Sequence, residues 1–334
     1  MTRATDQTMS LKVRGLTTTF DTPRGTAIAT ADIDLDIAPG EVLGLVGESG
    51  SGKSVTLRSI MRLIREPGRV SGRVEWGGRD LLALPDEELR RIRGREIAMI
   101  FQEPMTALNP VLQVGLQIEE NLIAHTSLNR RERRARALEL MNTVGIPAAE
   151  RRLQEYPHQF SGGMRQRAMI AIALACSPKL LLADEPTTAL DVTIQDQILK
   201  LLLQLRDQLS MSVVLVTHDL GVVAATCDRM AVMYAGRIVE TGTVANVFAQ
   251  PHHPYTRGLL GSVPRGHAVR SMLASIDGTP PSLTALPTGC AFHPRCSLAT
   301  DHCRTARPPL VSVSEGRMSA CFRQRDVAAM EGIL

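Results

Sequence analysis

Residues 41–61 read EVLGLVGESGSGKSVTLRSIM, and this stretch decides the fold. The apolar run from Val42 to Val46, bounded by turn formers, predicts a buried strand, and the apolar spacing after Lys53 predicts a helix. Between them Gly47, Gly50, Gly52, Lys53 and Ser54 satisfy the phosphate-loop pattern G-x-x-x-x-G-K-[ST]. Glycine is required because the backbone must curl closely enough for successive N–H groups to face phosphate oxygens at the positive end of the helix. The candidate nucleotide site therefore runs from Gly47 through Glu48, Ser49, Gly50, Ser51, Gly52 and Lys53 to Ser54 and Val55. Lys53 is expected to reach the terminal phosphates, and Ser54 to ligate Mg²⁺.

Phosphate chemistry also needs a carboxylate, and KLLLADEP at 179–186 supplies one. Leu180 to Ala183 predict another buried strand, with Asp184 at its carboxyl end, where open α/β sheets bind ligands. Asp184 is expected to hold Mg²⁺ through water, and Glu185 to accept a proton from the attacking water. Alone, such a pair fits a solvated loop equally well; beside a phosphate loop it acquires a function. IAMIF at 97–101, SVVLVT at 212–217 and RMAVMY at 229–234 predict further strands, mostly separated by helical stretches. That alternation predicts an α/β fold with a mostly parallel sheet. VRGL at 13–16 and RVEW at 73–76 predict an antiparallel β region near the N-terminus, and RRERRARALELMNTVGI from Arg130 an amphipathic helix with a basic face.

Composition narrows the function classes. With 334 residues, 44% hydrophobic and 22% charged, the chain reads as about two globular domains. A net charge of +4, with three Tyr, six Phe and one Trp, argues against nucleic acid as a partner. The opening MTRATDQTMSLKV has no apolar signal region and no run of 18 apolar residues follows, so a cytosolic location is expected. After the Pro/Gly-rich DGTPPSLTALPTG at 277–289 come four of the six cysteines, Cys290, Cys296, Cys303 and Cys321. In a reducing compartment they suit metal better than disulfides. Their intervals of five, six and seventeen residues lack paired C-x₂-C knuckles, leaving zinc, an iron–sulfur cube and unliganded thiols all open. Such a tail has too few large apolar residues to fold alone, so metal ligation is expected to staple it. Cys176 and Cys227, beside apolar residues, read as core thiols, and His293 and His302 as neighbours of the tail cysteines.

Between the two nucleotide motifs, FSGGMRQR at 160–167 resembles the signature motif of ABC ATPases. Its companions follow in that family's order: Gln102 in MIFQEP resembles the Q-loop, Asp191 in TTALDV the D-loop, and His218 in VLVTHDL the switch histidine. Phe20 stands where the family places an aromatic ring against adenine, as Phe rather than the commoner Tyr. The resemblance spans roughly Met9 to Gly242. It implies a P-loop ABC ATPase over 9–250 with a helical subdomain at about 103–165 that touches a membrane partner. It also implies catalysis through Lys53, Gln102, Glu185 and His218, with Ser54, Gln102 and Asp184 around Mg²⁺. Two ATPase subunits would pack head to tail, ATP lying between one chain's Lys53 region and the other's Ser161, Gly162 and Gly163, with Asp191 nearby.

QPHHPYTRGLLGSVP at 250–264 resembles the segment after the ATPase core in importers of oligopeptides, dipeptides and nickel, and FQEPMTALNP the first of their two unlike ATPase subunits. This implies an extension over 251–334 and a peptide-import ATPase on the cytoplasmic face of the bacterial inner membrane. Its partners would be a second, unlike ATPase, two membrane permeases and, indirectly, an extracytoplasmic binding protein. The tail is similar to one that carries a 4Fe–4S cluster on Cys290, Cys296, Cys303 and Cys321. A nickel or glutathione-type importer and a soluble ABC ATPase acting on nucleic acid or ribosomes are the alternatives.

Overall fold

The computed structural model describes residues 10–23, 25–188, 190–262 and 276–330. Among the described residues twelve strands follow in chain order: β1 Leu11–Thr22, β2 Gly25–Ile37, β3 Val42–Val46, β4 Gly68–Trp76, β5 Arg79–Asp80, β6 Ile97–Ile100, β7 Leu180–Asp184, β8 Ser212–Thr217, β9 Arg229–Tyr234, β10 Arg237–Thr243, β11 Val311–Ser314 and β12 Arg317–Ser319. The chain packs as two compact units, one of Ala38–Glu41 with Ala83–Leu215, the other of Ser10–Ile37, Val42–Leu82 and the chain from Val216 onward.

In the first unit the strands lie in the order β8, β7, β6, with β6 and β7 parallel. Every residue of β7 and β8 is buried, as parallel strands covered on both faces require. Helices Val114–His125, Arg130–Thr143 and Gly162–Ala173 fill the segment between β6 and β7, as expected for a helical subdomain. Helix Arg130–Thr143 starts where it does because Asn129 accepts the Arg131 and Glu132 N–H groups while Glu132 accepts the Asn129 N–H, a reciprocal cap. Helix Val192–Leu209 buries Ile198, Leu201, Leu202 and Leu205, one stripe at helical spacing.

The second unit holds the antiparallel sheet β2-β1-β4-β5 and the strand series β11-β12-β10-β9-β3. β3 and β9 are parallel, but β9, β10, β12 and β11 are successively antiparallel. This edge departs from the largely parallel expectation for a local reason. Ala235 (φ 46°) and Gly236 (φ 79°) make a two-residue turn, which can join only antiparallel neighbours.

The tail is not the separate appendage expected of it. It is built into the second unit: β12 pairs with β10, and Phe292 packs with Tyr234 and Tyr255 at ring separations of 5.2 and 5.5 Å. Its Arg317 donates to fully buried Glu240 at 3.0 Å, and the carboxylate also accepts the His252 and His253 N–H groups at 2.8 and 2.9 Å. Burial pushes the Glu240 carboxyl pKa up, and the His252 N–H and Arg317 act against it. An ion pair this deep is costly to half-dismantle. Arg317→Met is expected to lower unfolding free energy in a urea titration by about 3–5 kcal/mol, and adding Glu240→Leu to recover most of it.

Candidate nucleotide site and the tail that touches it

The phosphate loop lies in the second unit between β3 and helix Lys53–Ile60. Three of its glycines have positive φ: Gly47 at 152°, Gly50 at 78° and Gly52 at 103°. Two are sterically obligatory. A Cβ on Gly47 would stand 2.2 Å from the Met233 carbonyl oxygen, and one on Gly52 2.5 Å from that of Ala29, whereas a Cβ on Gly50 would meet nothing within 4 Å. The curl closes around Lys53, which is 4% exposed and donates to the Gly47 and Glu48 carbonyls at 2.7 and 3.0 Å. The turn after β9 braces it from outside, the Gly236 N–H donating to the Ser51 carbonyl at 2.9 Å. An ammonium ringed by loop carbonyls, at the head of a helix, is a donor set suited to a polyphosphate.

Other predicted residues of this unit fall as follows. Ser51 is buried, Ser54 and Val55 are half-buried, and Ser49 is exposed. His218 is exposed just after β8, where Asp219 caps helix Leu220–Thr226 by accepting the Gly221 and Val222 N–H groups. Phe20, half-buried on β1, lies over Gly68, where a Cβ would stand 2.7 Å from its ring. Glu48 has a role the sequence did not reveal. Its N–H donates to the Tyr255 hydroxyl at 2.8 Å, so both backbone and carboxylate address the tail side of the unit.

The first unit carries the carboxylates. Asp184 ends β7 fully buried, and Glu185 follows with a left-handed backbone, φ 45°. Gln102, just past β6, donates its amide to Glu185 Oε2 at 3.2 Å, and the Thr188 hydroxyl donates to the same oxygen at 2.8 Å. Carboxylate and amide oxygens are the hard donors that Mg²⁺ takes, so Asp184 and Gln102 are of the chemistry that ion needs. At the signature, Ser161 caps helix Gly162–Ala173 through the Met164 N–H at 3.3 Å. Ser161 and Gly162 are exposed, and a Cβ on Gly163 would crowd Ile194 at 3.0 Å. Asp191 caps helix Val192–Leu209 through the Ile194 N–H at 2.9 Å. Signature and D-loop thus meet within one unit.

In the tail, Cys290, Cys296, Cys303 and Cys321 line one small cavity, together with His253, Phe292 and His293. Burial pushes the Cys290 and Cys296 thiols up and carries Cys321 to about 12. Among the described residues, no group of three His, Cys, Asp or Glu side chains is arranged to hold a single metal ion. His302 lies tilted against the Phe322 ring, with centroids 4.2 Å apart. Cys227 lies against Gly44 in the core of the second unit, burial raising its pKa to about 11, and Cys176 is half-buried in the first. His253 is fully buried and held neutral, its pKa lowered to about 3, with Nδ1 accepting the Tyr255 N–H.

Residues 30–188 match the family described as ABC transporter, and residues 239–303 the oligopeptide/dipeptide transporter C-terminal region. The oligopeptide transport ATP-binding protein OppD of Salmonella typhimurium is 49% identical over 313 residues, covering 94% of this chain and 93% of that protein. This chain belongs to the ABC transporter family, among its oligopeptide/dipeptide ATP-binding subunits. The Escherichia coli OppD protein gives the same 49% over the same coverage. Among solved structures of the family, an ATP-binding cassette in a dimeric post-hydrolysis state bound to ADP and Pi aligns at TM-score 0.64 and 33% identity, covering 70% of this chain and 98% of the cassette. The fold is therefore that of an ABC ATPase.

The glycines of this ABC ATPase separate sterically. Gly47→Ala, which forces the loop off Met233, is expected to abolish measurable ATP binding and cost about 2–3 kcal/mol of stability; Gly50→Ala, strained only in φ, should cost about 1 kcal/mol. Nucleotide fluorescence titration and urea midpoints distinguish the two.

Proposed function

We propose that this chain hydrolyses ATP to drive uptake of short peptides across a bacterial cytoplasmic membrane, docked on the cytoplasmic face of its permeases. The observation that carries the catalytic part is Glu185, a carboxylate held between Gln102 and Thr188 directly after buried Asp184. A carboxylate so positioned is a general base for water. Lys53 and the loop N–H groups bind the phosphates, His218 contacts the terminal phosphate, and Phe20 lies against the base. Mg²⁺, when bound, neutralises charge developing on the β- and γ-phosphates. Ser54, Asp184 and Gln102 are the residues that would hold it.

The exposed head of helix Gly162–Ala173 supports a site completed by a second subunit, as does the dimeric state of the solved cassette. In this reading Ser161, Gly162 and Gly163 bind the ATP held by the partner, with Asp191 beside them, and the partner is an unlike ATPase. Because ATP then favours the closed pair, its hydrolysis reopens it. An open groove of ≈ 730 Å³ in the helical subdomain, lined by Pro110, Val111, Arg151, Tyr156 and His158 among others, supports docking of the permease pair there. Val111 (75% exposed) and Met105 (61%) offer apolar contact in the same subdomain. Peptide cargo is supported by the C-terminal match and by the names of the relatives. An extracytoplasmic binding protein would deliver it.

The division into an ATPase module over 9–250 and an extension over 251–334 is part of this proposal, supported by the two separate family matches. So is a 4Fe–4S cluster on Cys290, Cys296, Cys303 and Cys321. What supports it is that the four thiols line one small cavity. Such a cluster would supply a covalent cross-link within the tail.

Glu185→Gln is expected to keep ATP binding while lowering phosphate release at least about a hundredfold. Turnover by the transporter assembled with its permeases should rise when peptide-loaded binding protein is added; indifference to peptide would remove the cargo assignment. Anaerobically purified protein should contain iron and acid-labile sulfide, and lose both on Cys296→Ser. An iron-free, colourless preparation would remove the cluster.

A further inference from the structure

Arg295 of the tail reaches the phosphate loop. It lies between Pro294 and Cys296, far along the chain from Glu48, yet its side chain is only 5% exposed. Nη1 donates to Glu48 Oε2 at 2.7 Å and Nη2 to Glu48 Oε1 at 3.0 Å, a two-pronged pair. The remaining donors are also used. Nε donates to the Asp277 carbonyl at 2.9 Å, Nη2 to that of Ile276 at 3.1 Å, and Nη1 to the Tyr234 hydroxyl at 3.4 Å. All five guanidinium N–H groups thus have acceptors, a fixed fork no lysine reproduces. Pairing with Glu48 pushes the Arg295 pKa further up, so this charge is permanent.

The contact resolves an electrostatic conflict in the sequence. A phosphate loop must receive a polyanion, yet its second residue is a carboxylate. Like unit charges about 8 Å apart near a protein surface weaken a binding constant by about thirtyfold. In the loop sequence GESGSGKS at 47–54 the cation is Lys53, and the Glu48 N–H is already committed to Tyr255. The geometry points to Arg295 as a positioning residue of the nucleotide site: it cancels the Glu48 charge and holds that side chain away from the bound phosphates. The tail thereby sets the ATP affinity of the loop. This inference rests on the loop binding ATP, as proposed above.

Calorimetric titration of MgATP into the full-length chain, at two salt concentrations, tests it. Arg295→Gln is expected to raise Kd about tenfold, less at high salt, and to raise KM with little change in kcat in the assembled transporter. Adding Glu48→Gln should bring Kd back to within about threefold of the natural chain, because the offending charge is gone. Arg295→Lys, which keeps the charge but loses the fork, should weaken binding less than Arg295→Gln does. Glu48→Gln alone, independent of whether Arg295→Gln folds, should bind at least as tightly as the natural chain. An unchanged Kd in Arg295→Gln, a double variant as weak as that single one, or a Glu48→Gln loss above about threefold would overturn the inference while leaving the ATP reading intact. Failure of the natural chain to bind MgATP would overturn both.

Discussion

The close approach of backbone to backbone at Gly47 and Gly52 is the constraint from which the nucleotide site follows. Carbonyls of Met233 and Ala29 stand where side chains would otherwise be, and this forces the chain after β3 into the tight curl that encloses Lys53. The curl in turn fixes where helix Lys53–Ile60 begins, and with it the direction of its positive end. Strand, loop and helix are one mechanical object. Its supports are the β9–β10 turn, through Ser51, and the aromatic cluster of Tyr234, Tyr255 and Phe292, through Glu48.

In the other unit the candidate carboxylates are placed by a strand end. β7 buries Asp184 completely, and the left-handed turn at Glu185 swings the next carboxylate out of the strand direction, where Gln102 and Thr188 hold one oxygen. Strain of this kind is sustained only by a surrounding structure that leaves no alternative. The fully buried strands supply that rigidity, whereas Ser161 and Asp191 are left exposed at helix starts.

Local pattern made much of this legible. β3, β8 and β9 have the bounds that apolar runs predict, and helix Arg130–Thr143 begins at the predicted residue because its cap is a nearest-neighbour device. Gln102 meets Glu185 although neither motif alone announces the pairing. What pattern missed has a common cause. β10 reads RIVETGT, whose Glu and Thr suggest surface, yet Glu240 is buried because Arg317, supplied by a remote hairpin, neutralises it. The same holds for Glu48, whose partner Arg295 lies in a segment that composition marks as unable to fold alone. Single-chain periodicity records which face a residue turns, not which distant charge will meet it. A carboxylate at an otherwise apolar or anion-receiving position is the signal that would have prompted a search for both.

The β11–β12 hairpin, finally, covers β10, whose open side would otherwise present a row of unpaired N–H and C=O groups. The new margin it offers is β11, four residues of alternating Val and Ser with little apolar surface to recruit a stranger. The cysteine-rich end of the molecule is thus also a selvedge. A chain shortened before Val311 would carry a naked ribbon, and its first symptom would be clumping with its own kind.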